Sequence, residues 1–192
     1  MHLILSSCDF RNKNSKTSII KNLGIPIEKC KVLYIPNEKA TLELIQSDMY
    51  YNRVEEFGFQ KTNITVFNYY DSNQYKDLKI DAIYISGGNT FRMLDRLKKC
   101  NFDKAIIKYV NNGVTYIGGS AGAHIASNNV EHILDFDDNE SGVTDFEGLG
   151  LFDGILFCHY SEDRKSYYEK ALLKNKYKVY ALTDDDSIII NN

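Results

Sequence analysis

Residues 118 to 122 read Gly-Gly-Ser-Ala-Gly, which matches the G-x-S-x-G pattern of a nucleophile elbow. A serine on a sharp turn between a strand and a helix projects its hydroxyl into a site, and the glycines remove side chains that would clash there. The amide of Ala121 would then lie at a helix N-terminus, where it can donate to an oxyanion. The same glycines also fit a simple turn or a phosphate-binding loop. Because an apolar run precedes the motif, we interpret Ser120 as a nucleophile.

A second glycine pair, Gly87-Gly88, follows the apolar run Ala82 to Ser86 and precedes Asn89. Asn89 suits the N-cap of a helix, so a tight turn is one interpretation of this segment. The ends of neighbouring strands in one sheet face one crevice, which makes the Gly88 amide a candidate second oxyanion donor. We also take Asn89 as a candidate substrate-binding residue.

A serine nucleophile needs a base, and the chain has four histidines. His159 follows a short apolar run, where a parallel sheet presents catalytic groups, and it is the preferred base. His124 lies one helical turn after the elbow and stays open as an alternative. We expect His2 to be incidental and His132 to be a surface residue.

The acid that would orient this histidine is harder to choose. Acidic residues form three groups after the elbow, at Asp135 to Glu140, at Glu162-Asp163 and at Asp184 to Asp186. Most charge runs are solvated turns, and that interpretation fits each group. The run from Asp135 lacks the glycine and glutamate of a calcium loop, and no zinc spacing is present. We therefore expect neither a metal nor a cofactor.

Alternating strands and helices must position these residues. We predict strands at Leu3 to Ser7, Lys31 to Ile35, Asn63 to Phe67, Ala82 to Ser86, Val114 to Ile117, Ile155 to Cys158, Val179 to Leu182 and Ile188 to Ile190. We predict helices at Thr41 to Phe57, after Asn89, at Asp103 to Asn111 and at Arg164 to Lys174. This order predicts a parallel sheet covered on both faces, with the active crevice beyond the carboxyl ends of the strands.

Composition narrows the class of protein. The 192 residues suit a single domain over 1–192, and an apolar run so close to Asn192 suggests a short C-terminus. A net charge of −3 excludes a strong general attraction to nucleic acid or to an anionic membrane. Four scattered cysteines indicate reduced, mostly buried thiols. With no signal-peptide pattern and no run of transmembrane length, we expect a cytoplasmic protein.

The motifs together resemble the peptidase E family of serine peptidases. The resemblance rests on Ser86 to Phe91 (SGGNTF), Ile117 to Ala123 (IGGSAGA), His159 and Ala181 to Asp185 (ALTDD), in that order along nearly the whole chain. It implies a class I glutamine amidotransferase-like fold, a three-layer α/β sandwich with a mainly parallel central sheet. It also implies that Ser120 is the nucleophile and His159 the base.

The same resemblance implies the remaining site residues. The amides of Gly88 and Ala121 would be the oxyanion donors. Asp185 is the first choice to orient the histidine, with the register within the three aspartates uncertain by one, and Asp135 is a supporting site residue. The expected substrate is a small peptide, a dipeptide with N-terminal aspartate. Its side-chain carboxylate needs a cation, and we choose Arg164 because it is the nearest arginine after His159.

Several alternatives stay open at this point. A surface ion pair is an equally good interpretation of Arg164. His124 stands where the family often shows asparagine, which leaves the specificity open, and the oligomeric state is either monomer or homodimer. A glutaminase would need cysteine in place of Ser120. An α/β-hydrolase esterase fits the order Ser120, Asp135, His159, and a non-catalytic binding module would need Ser120 and His159 to be unaligned.

Overall fold

A computed structural model describes residues 1–174 and 176–191 and shows eight strands among them. Their bounds are His2–Ser6 (β1), Val32–Ile35 (β2), Ile64–Val66 (β3), Ala82–Ile85 (β4), Thr115–Gly119 (β5), Ile155–Phe157 (β6), Val179–Ala181 (β7) and Ser187–Asn191 (β8). Six of them form a central sheet in the order β3-β2-β4-β5-β1-β8. The first five strands in that order are parallel, and β8 runs antiparallel to β1.

The α-helices of the described residues cover both sides of this sheet. Their bounds are Lys13–Asn22 (α1), Leu42–Gln46 (α2), Met49–Glu56 (α3), Thr90–Lys99 (α4), Asp103–Asn111 (α5), Ala121–Ile125 (α6) and Lys165–Lys174 (α7). This arrangement confirms the predicted α/β sandwich with a mainly parallel sheet.

Burial follows from the two covered faces. Every residue of β2 and β4 is buried, as expected for strands that have helices on both sides. Helix α4 begins after Asn89, whose side chain accepts a hydrogen bond from the Arg92 amide at 2.9 Å and so caps it. The helix buries Phe91, Leu94 and Leu97 along one face, at the predicted spacing.

The single helix predicted from Thr41 to Phe57 is wrong, because the structure has two helices there. At Ser47 the backbone becomes extended (φ −82°, ψ 166°), and the Ser47 hydroxyl donates to the Leu44 carbonyl at 2.8 Å. A serine that bonds the preceding turn in this way competes with helix propagation, so α3 starts anew at Met49.

Helix α1 has no counterpart in the prediction. It buries only two of its residues, Ser15 and Ile19, so it has no clear apolar stripe to detect. Its start is specified by Asn12, whose side chain accepts hydrogen bonds from the amides of Asn14 and Ser15.

A separate two-stranded sheet of β6 and β7 lies beside the main sheet. The two strands are parallel, with Ile155 opposite Val179 and Phe157 opposite Ala181. Because they run in the same direction, the residues that follow them emerge at the same edge. His159 follows β6 and the three aspartates follow β7, so this pair brings a histidine and a carboxylate together. Within the described part of the chain, no helix has the length and apolar character needed to cross a lipid bilayer.

Candidate active site

The elbow is a strained turn between β5 and α6. Ser120 has φ 49° and ψ −111°, a conformation that is rare for a residue with a side chain. Its amide donates to the Ser6 carbonyl at 2.9 Å, and its carbonyl accepts from the amides of Ala123 and His124, both at 2.9 Å. The strain is therefore held by backbone hydrogen bonds on both sides of the serine.

Two glycines of the elbow are required by close packing. A Cβ on Gly119 would overlap the side chain of Asp9, which lies buried under the turn. A Cβ on Gly122 would overlap the carbonyl oxygen of Ile85 at the end of β4. The G-x-S-x-G pattern is thus a packing requirement of this turn, as well as a feature of its chemistry.

His159 joins the serine to a carboxylate. Its Nε2 lies 2.8 Å from Ser120 Oγ, and its Nδ1 lies 2.6 Å from Asp184 Oδ1. A carboxylate only accepts, so Nδ1 carries the ring proton and Nε2 is free to accept from the serine hydroxyl. The hydrogen bond from His159 is the main influence that lowers the pKa of Asp184, which keeps this carboxylate ionised.

Ser7 fixes the backbone that carries the histidine. His159 has φ 58°, so it is strained in the same sense as Ser120. Its amide donates to Ser7 Oγ at 2.8 Å, and Ser7 Oγ donates in turn to the Leu182 carbonyl at 3.1 Å. The Tyr160 amide also donates to the Leu182 carbonyl, at 2.9 Å. One buried hydroxyl therefore connects the ends of β1, β6 and β7.

The predicted choice of Asp185 for the histidine is wrong by one residue. Each of the three aspartates has its own partner: Asp184 bonds His159, the Asp185 carboxylate accepts from Asn12 Nδ2 at 2.9 Å, and Asp186 accepts from Thr183. The Asp186 amide donates to the Thr183 carbonyl at 3.1 Å and closes a turn. That turn directs the first aspartate at the ring.

The structure does not bring Asp135 to the histidine. Its carboxylate accepts from Lys170 Nζ at 2.5 Å and lines a pocket of about 340 Å³ against α7. Neither Ser120 nor His159 lines that pocket. The chain order of the hydrogen-bonded groups is therefore Ser120, His159, Asp184, which removes the main support for the α/β-hydrolase interpretation.

The loop after β4 adjoins the elbow. A Cβ on Gly87 would lie 3.2 Å from Ser120 Cβ, so the ends of β4 and β5 share one crevice, as predicted. The Asn89 amide donates to Glu38 Oε2 at 3.0 Å, and Asn89 Nδ2 donates to the Asp138 carbonyl at 2.9 Å. With its oxygen capping α4 and its nitrogen bonded to Asp138, the Asn89 side chain holds this loop in place.

The sequence profile of Peptidase family S51 matches residues 2–192. The chain belongs to peptidase family S51. The predicted resemblance to the peptidase E family, whose members are serine-type peptidases, is confirmed.

Individual relatives of this S51 chain agree with that assignment. Peptidase E of Haemophilus influenzae is 29% identical over 157 residues, covering 74% of this chain and 70% of the relative. An uncharacterized peptidase of Listeria monocytogenes is 35% identical over 117 residues, 58% of this chain. The chain spans about half the length of the first curated relatives that it matches, 57% of this one and 41% of one from Listeria innocua.

Solved structures share the fold of the S51 chain. A crystal structure of a candidate peptidase E protein from Listeria monocytogenes has a TM-score of 0.76 and 25% identity, and the match covers 98% of this chain and 93% of that one. A peptidase from an acI-B1 Actinobacterium has a TM-score of 0.68 at 18% identity, with 98% and 82% covered.

His124 and His132 are both buried. The ring of His124 contacts Thr90 Oγ1 through Nδ1 at 3.2 Å, and its Nε2 accepts from the Cys158 amide at 3.3 Å. Both ring nitrogens are thus engaged with α4 and the end of β6, and neither bonds the Ser120 hydroxyl. His132, predicted at the surface, is instead 8% exposed and donates to the Leu156 carbonyl at 2.6 Å. Burial lowers the pKa of both rings, that of His124 furthest.

Two arginine side chains, those of Arg164 and Arg11, lie near the candidate active site. Arg164 lies over the ring of Phe136, with Cζ 5.0 Å from its centroid, and makes no ion pair with any described residue. The expected alternative, a surface ion pair, is therefore not what the structure has. Arg11 reaches the crevice near Gly87, where the Nε and Nη2 groups on one edge of its guanidinium already bond Asp9, at 2.9 and 3.2 Å.

Cys8 is a site residue that sequence reasoning missed. It follows β1 and lies half-buried beside His159 and Asp184, where the three side chains could hold a metal ion. Burial, and then the adjacent Asp184 carboxylate, raise the pKa of the Cys8 thiol to about 11, so the thiol is protonated at neutral pH. Its position two residues beyond the end of a strand of the main sheet was the one signal in the sequence.

Proposed function

We propose that this chain is a serine-type peptidase that cleaves small peptides with Ser120 as nucleophile, His159 as base and Asp184 as the acid that orients the base. The observation that carries the proposal is the continuous hydrogen-bond chain from Ser120 Oγ through the imidazole to Asp184, at 2.8 and 2.6 Å. Family membership supports the same chemistry. Aligned side chains also argue against the non-catalytic binding module.

The proposed reaction follows from the tautomer. Nε2 of His159 accepts the Ser120 proton as Oγ bonds the carbonyl carbon of the substrate, and the imidazolium then donates that proton to the leaving amine as the peptide bond breaks. Water repeats the sequence on the acyl-enzyme, with His159 taking its proton and returning it to Ser120. Asp184 stabilises the imidazolium in both halves and holds the ring in the productive orientation.

The amides of Ala121 and Gly88 are the proposed oxyanion donors. The Ala121 amide is the first of α6, directly after the nucleophile, and it has no backbone acceptor within the described part of the chain. Gly88 lies on the loop that borders the crevice. Two amides that face the carbonyl oxygen from adjacent loops would stabilise the charge that develops on it.

We propose dipeptides with an N-terminal aspartate as substrates and Arg164 as the group that binds the aspartate side chain. The support is the resemblance to the peptidase E family together with the environment of this guanidinium. Its fork makes no ion pair with any residue that the structure describes, and its face is supported by Phe136. The His159 hydrogen bond is the main influence that lowers the pKa of Asp184, and the Arg164 charge is a smaller one. A planar guanidinium binds a carboxylate through two hydrogen bonds.

The catalytic proposal is tested with a panel of dipeptides varied at the first residue, together with short-chain esters. Wild type should hydrolyse the dipeptides, and Ser120→Ala should lose the activity by several orders of magnitude while retaining the circular dichroism spectrum of the folded protein. Hydrolysis that persists in Ser120→Ala would overturn the proposal. Turnover of esters alone would favour an esterase.

Specificity is tested with Arg164→Met on Asp-Leu and Asn-Leu. If Arg164 binds the carboxylate, kcat/KM for Asp-Leu should fall by on the order of a hundredfold, while that for Asn-Leu changes little. Arg11→Met is the matched control. It removes a guanidinium from the same crevice, but one that is already paired with Asp9. A selective loss in Arg11→Met alone would contradict the role of Arg164. A wild type indifferent to aspartate would remove the substrate proposal but leave the catalytic one standing.

A further inference from the structure

Three side chains of different chemistry converge at the carboxyl edge of the sheets. They are the thiol of Cys8 after β1, the imidazole of His159 after β6 and the carboxylate of Asp184 after β7, and one ligand atom from each lies within 4.8 Å of the others. We propose that these residues form a binding site for a zinc-type divalent cation, and that its occupation switches the peptidase off.

The donor set selects the class of metal. A thiolate, an imidazole and a carboxylate are the ligands that zinc takes in proteins, whereas magnesium and calcium prefer oxygen alone. Zinc bonds are about 2.3 Å to sulfur and about 2.0 to 2.2 Å to nitrogen and oxygen. Ligand atoms within 4.8 Å of one another can therefore surround such an ion after small side-chain movements. Three protein ligands leave a fourth position for water.

The cation can reach this site from solvent. The Asp184 side chain is 63% exposed and that of His159 is 32% exposed. The His159 amide donates to the buried Ser7 hydroxyl, so the backbone that carries the ring is already fixed. Metal binding would thus need rotation of exposed or half-buried side chains, with no opening of the core. Cys8 releases its thiol proton to solvent as the metal–sulfur bond forms.

The inhibitory effect follows from the histidine tautomer, and this step rests on the proposed function. In the metal-free site Nδ1 carries the proton and faces Asp184, while Nε2 accepts from Ser120. A metal on Nδ1 takes the lone pair there, so the neutral ring must carry its proton on Nε2. An Nε2–H group cannot accept the serine proton. The same ion also withdraws Asp184 from its role of stabilising an imidazolium.

The first test is independent of catalysis and uses Co²⁺ as the probe. Co²⁺ should give wild type the intense near-ultraviolet band of a thiolate–cobalt bond, and Zn²⁺ should remove that band by competition. Cys8→Ser should lack the band and bind Zn²⁺ at least about a hundredfold more weakly by titration calorimetry. Cys100→Ser is the matched control, because Cys100 is also a half-buried thiol but lies outside the cluster. No thiolate band in wild type, or an equal band in Cys8→Ser, would overturn the site.

The second test measures inhibition, with each variant normalised to its own metal-free activity. Wild type and Cys100→Ser should lose dipeptide hydrolysis as Zn²⁺ is added and recover it with a chelator, whereas Cys8→Ser should need at least about a hundredfold more Zn²⁺. Zinc binding without inhibition would overturn the switch. A protein that binds Co²⁺ through Cys8 but hydrolyses no substrate would retain the metal site and contradict the proposed function instead, so the two failures are distinguishable.

Discussion

The elbow at Gly118–Gly122 and the acidic turn at Thr183–Asp186 supply two parts of the same hydrogen-bond chain, yet they are built differently. In the elbow, backbone hydrogen bonds and buried neighbours fix Ser120, and added side-chain atoms at Gly119 would overlap Asp9. In the acidic turn all four residues are exposed, and the side chains choose their own partners. The nucleophile is therefore specified by sterics, whereas the acid is specified by the hydrogen bonds of a surface turn.

This difference predicts how each region responds to change. A conservative substitution in the acidic turn should leave the fold intact, because little is packed against it, and should alter function only at the one aspartate that meets the ring. A change in the framework that holds His159 should affect both function and stability. A change in the buried histidine layer, formed by the rings of His124 and His132, should affect stability alone.

The largest expected effect separates two adjacent aspartates. Asp184→Asn should lower kcat by about a thousandfold or more, because an amide can stabilise the wrong imidazole tautomer and cannot balance the imidazolium. Asp185→Asn, the matched control one residue away, should stay within about threefold of wild type, since the Asp185 carboxylate bonds the exposed Asn12 side chain and not the ring. Steady-state kinetics of both variants decide the assignment. A larger loss in Asp185→Asn would show that Asp185, and not Asp184, orients His159.

The elbow could be predicted from the sequence because its chemistry and its packing demand the same residues. Glycines that prevent overlap, an apolar strand before them and small residues after them are all readable in one short segment. Most strand positions were predictable for a similar reason, since each is a short apolar run that two layers of helices bury. The choice of His159 also follows from topology, because it stands directly after such a run.

The remaining site residues could not be chosen from sequence, because tertiary pairing decides them. Three consecutive aspartates look alike until the Thr183–Asp186 turn assigns each a partner. Asp135 stands at a plausible position, but Lys170 of α7 holds it elsewhere. Cys8 and Ser7 come into contact with the site only when β1, β6 and β7 end side by side. Their position just after a strand is the one local signal, and it does not say which site they would join.

A smaller effect is expected from the framework around His159. Ser7→Ala removes the hydroxyl that accepts from the His159 amide, so kcat should fall by about ten- to a hundredfold through misplacement of the ring. Stability should fall by about 1 to 3 kcal/mol, because a partly buried amide loses its partner. Ser15→Ala is the matched control, since its buried hydroxyl has no hydrogen-bond partner among the described residues. Equal kinetic losses in both variants would show that Ser7 does not position the base.

The smallest effect concerns the buried histidine layer and appears as a pH dependence of stability. Burial is the main reason that the pKa of His124 lies well below 6.5, with the neighbouring His132 next. The unfolded chain therefore binds a proton below about pH 6.5 that the folded chain rejects. Stability is fully present above that pH and is lost as the pH falls toward the folded pKa.

Urea denaturation between pH 7.5 and pH 5 measures this loss, whose slope is at most about 1.4 kcal/mol per pH unit for each such group. His124→Gln should reduce the slope, because glutamine does not titrate, and should keep the pH profile of kcat. A slope unchanged in the variant would show that His124 does not govern acid sensitivity. A kcat profile that shifts with His124 would bring this ring back into the catalytic chemistry.

Covalent labelling of the nucleophile tests the central claim most directly. A small fluorophosphonate, which reacts preferentially with activated serines, is incubated with wild type, with Asp184→Asn and with Ser120→Ala, and the adducts are located by peptide mass spectrometry. The hydrogen-bond chain from Ser120 through His159 to Asp184 predicts a single adduct on Ser120 in wild type, much slower labelling in Asp184→Asn and none in Ser120→Ala. Labelling at a different serine, or equal rates in wild type and Asp184→Asn, would contradict it.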